Sequence, residues 1–170
     1  GTFAVQIGKV FGAEVTGVCS TRNVDLVRSI GADHVIDYAK EDFTKSGQRY
    51  DLILDMVGNH SLTDCRRALT AKGTLVLVGG PNTGRWLGPL TGLLKAVVWS
   101  RFVSQKVRPF LAQLGQADLI VLRELLATGK VTPVIDRSYP LGEIADAIRY
   151  LEAGHARGKV VITMEPRVKP

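Results

Sequence analysis

Hydrophobic and polar residues follow helical and strand spacing in turn along the first part of the chain. Apolar side chains at helical spacing predict a helix over 1–11, and residues 15–19 form a short apolar run typical of a strand. A second helix over 24–30, with Asn23 as its predicted N-cap, precedes a second strand over 34–38. This succession indicates an α/β protein that begins within a nucleotide-binding βαβ unit, at its helix.

The next strand and helix are predicted from an apolar run and a capping signal. Residues 50–58 form an apolar run that ends in glycine, which is typical of a strand buried on both faces. Ser61 with Asp64 resembles a capping box for a helix that continues to Gly73. Residues 74–78 then predict another strand.

Three features follow that strand. Residues 79–82 break the pattern as a ligand-facing loop at the carboxyl end of a strand would, although a plain turn is the alternative. Residues 85–105 predict an amphipathic helix that packs on the chain's own core, on a partner subunit or on a bilayer surface. Residues 108–113 predict a strand that Pro109 keeps short or near an edge.

The last part of the chain predicts a helix and then a strand-helix-strand segment. Asp118 is the predicted cap of the first helix, and 131–135 are expected to be extended. A helix over 144–151 and a strand over 159–164 close the segment. Four glycines are expected to end helices: Gly12, Gly31, Gly129 and Gly154.

Composition and charge exclude several classes of function. The net charge is +6, but the basic residues are spread along the chain without a basic block interleaved with aromatics, so no nucleic-acid partner is predicted. The longest uncharged stretch within 86–103 is 86–94, too short for the roughly 20 residues of a membrane span. No signal peptide is recognisable, so a cytoplasmic location is expected. Two cysteines and three histidines are scattered, and no metal site is predicted.

Six stretches together carry a family resemblance. They are, in order, GTFAVQIGK, RSIGADHVIDY, YDLILDMVG, KGTLVLVGG, GKVTPVIDRSYPL and AIRYLEAGHARGKVVI. In this order and spacing the chain resembles the medium-chain dehydrogenase/reductase superfamily, in its zinc-free quinone oxidoreductase-like branch, over nearly its whole length. The resemblance implies a Rossmann-like, doubly wound and mostly parallel sheet.

The resemblance also implies how the chain is divided. Residues 1–130 correspond to a Rossmann domain that binds NADP, and 131–170 to a segment that returns to the family's catalytic domain. Gly1 resembles the last glycine of the family's glycine-rich turn, so the first strand of the sheet is expected to be absent. Because that strand lies mid-sheet, we expect a gap that is bridged by rearrangement or filled by another segment or chain. Gly8 departs from the family pattern, in which alanine is usual.

Two arguments from the residues support a dinucleotide cofactor. The N-terminus of the first helix presents free N–H groups and the positive end of the helix dipole, which suit a pyrophosphate. An NAD site usually has an acidic residue about 20 residues after its glycines, and none lies between Glu14 and Asp25. We therefore predict NADPH as the cofactor, with Ser20, Thr21 and Arg22 binding its 2′-phosphate.

Further cofactor contacts rest on the resemblance alone. It implies that Val57, Gly58 and the pair Gly79 and Gly80 lie along the ribose and nicotinamide. It places Tyr38 near the adenosine end and lets Lys159 reach the cofactor from the returning segment. The alternatives for these residues are ordinary packing and turns. No catalytic residue can be assigned from this sequence.

The predicted function is the cofactor-binding portion of an oxidoreductase that transfers hydride from NADPH to quinones or conjugated carbonyl compounds. The partners expected are a small-molecule substrate and, as one alternative, a second copy in a homodimer. The chain alone is expected to be inactive, because its parent enzyme would supply the other wall of the substrate site. Rival functions are an alcohol dehydrogenase, an enoyl-thioester reductase, and a non-catalytic module that binds dinucleotides or uses residues 89–103 for contact.

Overall fold

The computed structural model describes residues 1–78, 104–110 and 115–164. The chain divides into two compact units, one of residues 1–37 with 116–170 and one of residues 38–115. Each unit is described by itself below. Gly79, Gly80 and residues 85–103 of the predicted amphipathic helix lie outside the described residues.

Five helices and seven strands are formed by the described residues. In chain order they are α1 Thr2–Val10, β1 Thr16–Cys19, α2 Val24–Ser29, β2 His34–Asp37, β3 Tyr50–Asp55, α3 Leu62–Arg67, β4 Leu69–Leu77, β5 Lys106–Pro109, α4 Gln116–Ala127, β6 Ile135–Pro140, α5 Ile144–Glu152 and β7 Lys159–Thr163. Every strand pairing among them is parallel. The predicted α/β class with a mostly parallel sheet is therefore confirmed.

The first unit begins with α1 and the two-stranded sheet of β1 and β2. Their parallel register ends with Cys19 opposite Asp37, so the two strands end at the same edge of the sheet. A Cβ on Gly17 would lie 2.4 Å from Val27 Cγ1, so only glycine lets α2 lie this close to β1. Gly8 has a similar role, since its Cβ would lie 2.9 Å from Val15 Cγ2.

The C-terminal residues complete the first unit. β6 pairs with β7, and α5 connects them. β6 begins at Ile135, so only the last residue of the stretch expected to be extended over 131–135 lies in a strand. Val131 is nevertheless buried, at 1% exposure. Residue 118 lies in the first turn of α4 and does not precede the helix, so its prediction as the cap was wrong.

Gln6 ties α1 to the C-terminal residues. Its buried carboxamide donates to the Thr132 carbonyl at 2.9 Å and accepts from the Thr132 N–H at 2.7 Å. A second bond from the same Nε2 reaches the Thr2 carbonyl at 3.2 Å. One side chain thus satisfies both backbone groups of a residue 126 positions away in sequence.

The second unit is built on a three-stranded sheet in the order β3, β4, β5. α3 covers one face, and the core consists of Ile53, Cys65, Ala68, Leu69 and Leu75. Among the described strands β5 lies at one end of this sheet, which agrees with Pro109. It begins two residues before the strand predicted over 108–113, of which 111–113 lie outside the described residues. The expectation that β3 is buried on both faces was wrong, because Leu52 is 61% exposed and Leu54 41% exposed on the face opposite the core.

The boundary between α3 and β4 was also predicted wrongly. Ser61 caps α3 by accepting from the Asp64 N–H at 3.1 Å, as expected, but the helix ends at Arg67 and not near Gly73. The Tyr50 N–H donates to the Ala68 carbonyl at 2.8 Å, and Leu69 already pairs with Tyr50. Pairing with β3 thus extends the strand over residues that helical spacing had favoured.

The described strands form three separate sheets, one of β1 and β2, one of β3 to β5 and one of β6 and β7. No hydrogen-bonded strand pairing within the described ranges joins these three sheets. The predicted gap in the sheet stays a prediction.

We predict that Leu75→Ala strongly destabilises the second unit. Leu75 is 0% exposed, and replacing a buried leucine by alanine costs about 2–5 kcal/mol. Hydrogen exchange in peptides from 50–77, measured along a urea titration, reports this loss of unfolding free energy. The matched control is Leu119→Ala, at a position 60% exposed, which should change stability by less than about 0.5 kcal/mol. Equal effects of the two substitutions would contradict the assigned core.

Replacing Gln6 tests the contact between α1 and the C-terminal residues. Gln6→Ala leaves both backbone groups of Thr132 without their protein partner, and we expect a loss of about 1–3 kcal/mol. Gln6→Glu should be intermediate, because a carboxylate can accept from the Thr132 N–H but cannot donate to its carbonyl. Hydrogen exchange at 130–134 reports the change, with Gln116→Ala at an exposed site as control. Unchanged exchange in Gln6→Ala would show that the contact is dispensable.

Candidate functional site

A short turn directly follows β1 at the edge where β1 and β2 end. Ser20 precedes a 3₁₀ turn of Thr21–Asn23, and the Asn23 N–H donates to the Ser20 carbonyl at 2.8 Å. In open α/β sheets ligands bind outside the carboxyl ends of the strands. The three residues predicted to bind the 2′-phosphate therefore lie together where such a ligand would be expected.

Ser20 and Arg22 keep donors that can reach a ligand. The Ser20 hydroxyl accepts from Asn23 Nδ2 at 3.1 Å, which leaves its own O–H free to donate. Arg22 is exposed, and its guanidinium has no hydrogen bond or ion pair with any described residue. An unpaired guanidinium offers the forked donors that suit a phosphate.

Thr21 is already engaged by an acid that the sequence analysis did not consider. Its hydroxyl donates to Asp37 Oδ2 at 2.7 Å, and Asp37 is only 7% exposed. This bond satisfies one oxygen of a buried carboxylate, which would otherwise be costly. Thr21 must therefore give up this partner before its hydroxyl can donate to a phosphate. Asp37 lies near the end of the predicted strand over 34–38, and an acid at that position was the available signal that it lies near the candidate site.

Asn23 and Arg157 are the other residues that the sequence analysis missed. Asn23 stands at the N-cap position of α2, as predicted, but its side chain makes no capping bond. Its Oδ1 instead accepts from Arg157 Nε at 2.9 Å, and Arg157 Nη2 donates to the Arg22 carbonyl at 3.0 Å. These contacts span 134 residues or more, so no local pattern could reveal them.

Gly1 and Lys159 lie at the second part of the candidate site. Gly1 is the N-cap of α1 without a side-chain capping bond, and a Cβ built on it would meet nothing within 4 Å. The first N–H groups of α1 have no partner within the helix itself. The Lys159 ammonium lies 5.0 Å from the centre of the Phe3 ring, in the first turn of that helix. A lysine and the positive end of a helix together favour an anion.

The start of β7 connects these two parts of the first unit. Arg157 contacts the turn after β1, and Lys159, two residues later, contacts the first turn of α1. Residues from both ends of the sequence thus meet at the two places where the phosphates of a dinucleotide are expected. The donor set of the first unit fits such a ligand.

Three of the predicted site residues that the structure describes belong to the second unit. Tyr38 is 57% exposed and Val57 66% exposed. Asp55 Oδ1 accepts from the Val57 N–H at 3.1 Å and from the Gly58 N–H at 2.7 Å, which closes a turn at the carboxyl end of β3. Gly58 has a φ of 74°, which favours glycine. Their roles toward a cofactor stay predictions.

A cavity of about 640 Å³ lies elsewhere in the first unit and contains none of the predicted site residues. Its walls include the last residues of α1 and α2, whose carbonyl ends disfavour an anion. Lys9, which lines it, is already paired with Asp33 at 2.7 Å. We therefore place the candidate site at the turn after β1 and the start of α1.

The structure shows no metal centre in the part of the chain that it describes. No group of three histidine, cysteine, aspartate or glutamate residues there could hold a metal ion. Burial raises the pKa of the Cys65 thiol to about 11, so it stays protonated and is a poor ligand. Within the same residues, no helix has both the length and the apolar character to cross a membrane.

Known proteins resemble this chain over nearly all of its length. The mouse mitochondrial NAD(P)H oxidoreductase RTN4IP1 is 38% identical, with 96% of this chain and 45% of that protein aligned. The chloroplastic NADPH-dependent alkenal/one oxidoreductase of Arabidopsis thaliana is 32% identical over 95% of this chain and 37% of its own. The chain thus spans less than half the length of these two relatives.

A solved structure supports the same assignment. The quinone oxidoreductase from Coxiella burnetii superposes with a TM-score of 0.74 at 27% identity, covering 96% of this chain and 49% of that one. The sequence profile described as zinc-binding dehydrogenase matches residues 30–162, well over half of the chain. The resemblance to quinone oxidoreductase-like members of the medium-chain superfamily is confirmed. The chain belongs to the zinc-binding dehydrogenase family.

Proposed function

We propose that this chain is the cofactor-binding portion of an oxidoreductase that transfers hydride from NADPH to quinones or conjugated carbonyl compounds. The observation that carries the proposal is the turn after β1, where Ser20 and Arg22 hold free donors and no acidic side chain of the turn competes. The names of the relatives support a nicotinamide dinucleotide as cofactor. The choice of NADPH is the finer part of the proposal.

The electrostatics of the turn favour a 2′-phosphate over a bare 2′-hydroxyl. Arg22 contributes an exposed guanidinium that no described residue pairs, and Arg157 adds a second guanidinium that contacts the same turn. A bidentate bond from arginine to phosphate is stronger than a bond between neutral groups. NADH lacks the 2′-phosphate, so these two arginines would contribute little to its binding.

Asp37 supports a second candidate, an NADH-dependent enzyme. An acidic side chain near the ribose accepts bonds from the 2′-hydroxyl in NAD sites. Asp37 lies at the same edge as the turn, but one oxygen of its buried carboxylate is bound by Thr21. We favour NADPH because this bond ties the carboxylate to the protein.

When bound, a nicotinamide cofactor would supply the hydride, and residues of this chain would hold it in place. The N–H groups at the start of α1 and the Lys159 ammonium would neutralise the pyrophosphate. The turn closed by Asp55 would support the ribose and nicotinamide with the backbone of Val57 and Gly58. Tyr38 would lie near the adenosine. Gly79 and Gly80 complete the proposed set.

Several parts of the proposal concern the whole protein. The division into a cofactor domain over 1–130 and a returning segment over 131–170 is proposed, as are the homodimer and the quinone or enone substrate. The alcohol dehydrogenase and enoyl-thioester reductase remain the rival enzymes. A cytoplasmic location is proposed only from the sequence, and the names of the relatives include mitochondrial and chloroplastic proteins.

Replacing Arg22 tests the choice of cofactor. A hydrogen bond to a charged group contributes about 1.5–3 kcal/mol, so Arg22→Ala should weaken NADPH binding roughly ten- to a hundredfold. NADH binding should barely change, because NADH lacks the phosphate. Titration of both nucleotides measures this, with Arg123→Ala, an exposed arginine of α4, as the control. Equal weakening of both nucleotides would favour a structural role for Arg22 and count against NADPH.

A second experiment tests hydride transfer. Positioning of substrate against cofactor supplies about 7–11 kcal/mol of barrier lowering and needs walls on both sides of the reacting atoms. We expect the 170-residue chain to oxidise NADPH with small quinones and enones far more slowly than a version extended by upstream residues of its gene. Absorbance at the NADPH band follows turnover. Comparable rates would show that these residues suffice, and no oxidation by either protein would contradict the proposed reaction.

A further inference from the structure

Arg157 makes a two-point contact with the turn after β1. Its Nε donates to Asn23 Oδ1 at 2.9 Å and its Nη2 to the Arg22 carbonyl at 3.0 Å. The planar guanidinium thus uses two donors of one fork on two neighbouring residues. This geometry fixes both the side chain of Asn23 and the backbone of Arg22.

The backbone of Arg157 is itself held in place. Asp136 Oδ2 accepts from the Arg157 N–H at 2.9 Å and from the Tyr150 hydroxyl at 2.7 Å. The Arg137 guanidinium lies 4.1 Å from the centre of the Tyr150 ring. The bond from the Arg157 N–H is the main reason that the pKa of Asp136 is lowered, and the Tyr150 hydroxyl adds to it. The carboxylate therefore stays ionised at neutral pH and anchors Arg157, two residues before β7.

The contact continues from Asn23 to the predicted phosphate ligands. With its Oδ1 bound to Arg157, the Asn23 carboxamide directs Nδ2 to Ser20 Oγ at 3.1 Å. The other donor of Arg157 holds the carbonyl of Arg22, whose own guanidinium is unpaired among the described residues. Arg157 thus orients the backbone of Arg22 directly and the side chain of Ser20 through Asn23. These are the two residues that keep free donors.

We propose that Arg157 is a positioning residue that orders the Ser20 and Arg22 donors for a 2′-phosphorylated dinucleotide, so that the C-terminal segment sets the preference for NADPH over NADH. This inference rests on the proposed function. Arg157 acts through the turn, and its second effect is to add positive charge beside it. The forked contact, and not the charge alone, carries the preference.

The experiment compares the wild-type chain with Arg157→Ala, Arg157→Lys, Asn23→Ala, the double variant that combines Arg157→Ala with Asn23→Ala, and the control Arg149→Ala. Arg149 lies on exposed α5, and its partner is Asp146 in the same helix, so its loss changes the net charge equally without touching the turn. NADPH and NADH are titrated against each protein. Hydrogen exchange at the amides of 20–24 is measured without nucleotide.

The expected result is a change in preference and not a general loss of binding. Arg157→Ala and Asn23→Ala should each reduce the ratio of NADPH to NADH affinity by about three- to tenfold, the effect of one to two lost hydrogen bonds, and raise exchange at 20–24. Arg157→Lys should recover little, because a single ammonium cannot replace the fork. Combining Arg157→Ala with Asn23→Ala should add little more, since both break one link.

Other outcomes overturn the inference. Full recovery of the ratio in Arg157→Lys would show that only charge matters, and an equal loss for both nucleotides would show a merely structural role. Unchanged binding in Asn23→Ala would break the proposed link to Ser20. Hydrogen exchange in 50–77 of the second unit serves as a folding check. If exchange there rises in Arg157→Ala, the inference is judged from the nucleotide preference of Asn23→Ala and Arg157→Lys.

Failure of the proposed function gives a different result. If the wild-type chain shows no preference for NADPH, the proposed cofactor is wrong whatever the variants do. Raised exchange at 20–24 in Arg157→Ala would then show that Arg157 orders the turn for another purpose, which overturns the assignment to a 2′-phosphate. A clear wild-type preference that Arg157→Ala leaves intact would sink the inference alone.

Discussion

Parallel pairing of β1 with β2 is the constraint on which the candidate site depends. Parallel strands cannot be joined by a tight hairpin, so a helix must carry the chain back, and both strands then end at one edge. The register sets Cys19 beside Asp37 at that edge. The residue after β1 therefore enters its turn next to a buried carboxylate, and the Thr21 hydroxyl satisfies it. The place of the turn follows from the sheet, before any ligand is considered.

The sheet alone does not order that turn, because a three-residue 3₁₀ turn at the surface has few bonds of its own. The C-terminal residues supply what is missing. Asp136 holds the backbone of Arg157, and Arg157 holds Asn23 and Arg22. Gln6 likewise ties α1 to Thr132 by two hydrogen bonds between its side chain and the Thr132 backbone. The first unit is thus closed by polar contacts between distant segments more than by a large apolar core.

This architecture explains what the sequence could and could not predict. Helical and strand spacing is local, so α1, β1, α2 and β2 were predicted within one or two residues, and positive φ at Gly12 and Gly31 matches their predicted role in ending helices. The start of β4 depends on pairing with β3, and the side chain of Asn23 depends on Arg157, so local rules failed at both. The sequence placed Ser20 and Arg22 directly after β1, but it could not predict their hydrogen-bond partners.

The charges around the turn show why a buried acid and an anionic ligand can share one edge of the sheet. Asp37 contributes one negative charge, but Thr21 binds it, and it is 7% exposed. Arg22 and Arg157 place two positive charges at the turn. Both arginines are exposed, so water and salt weaken their attraction to a phosphate, and that attraction acts against the repulsion from the buried carboxylate. Because Arg157 is supplied by the C-terminal segment, that balance exists only when the two ends of the first unit are folded together.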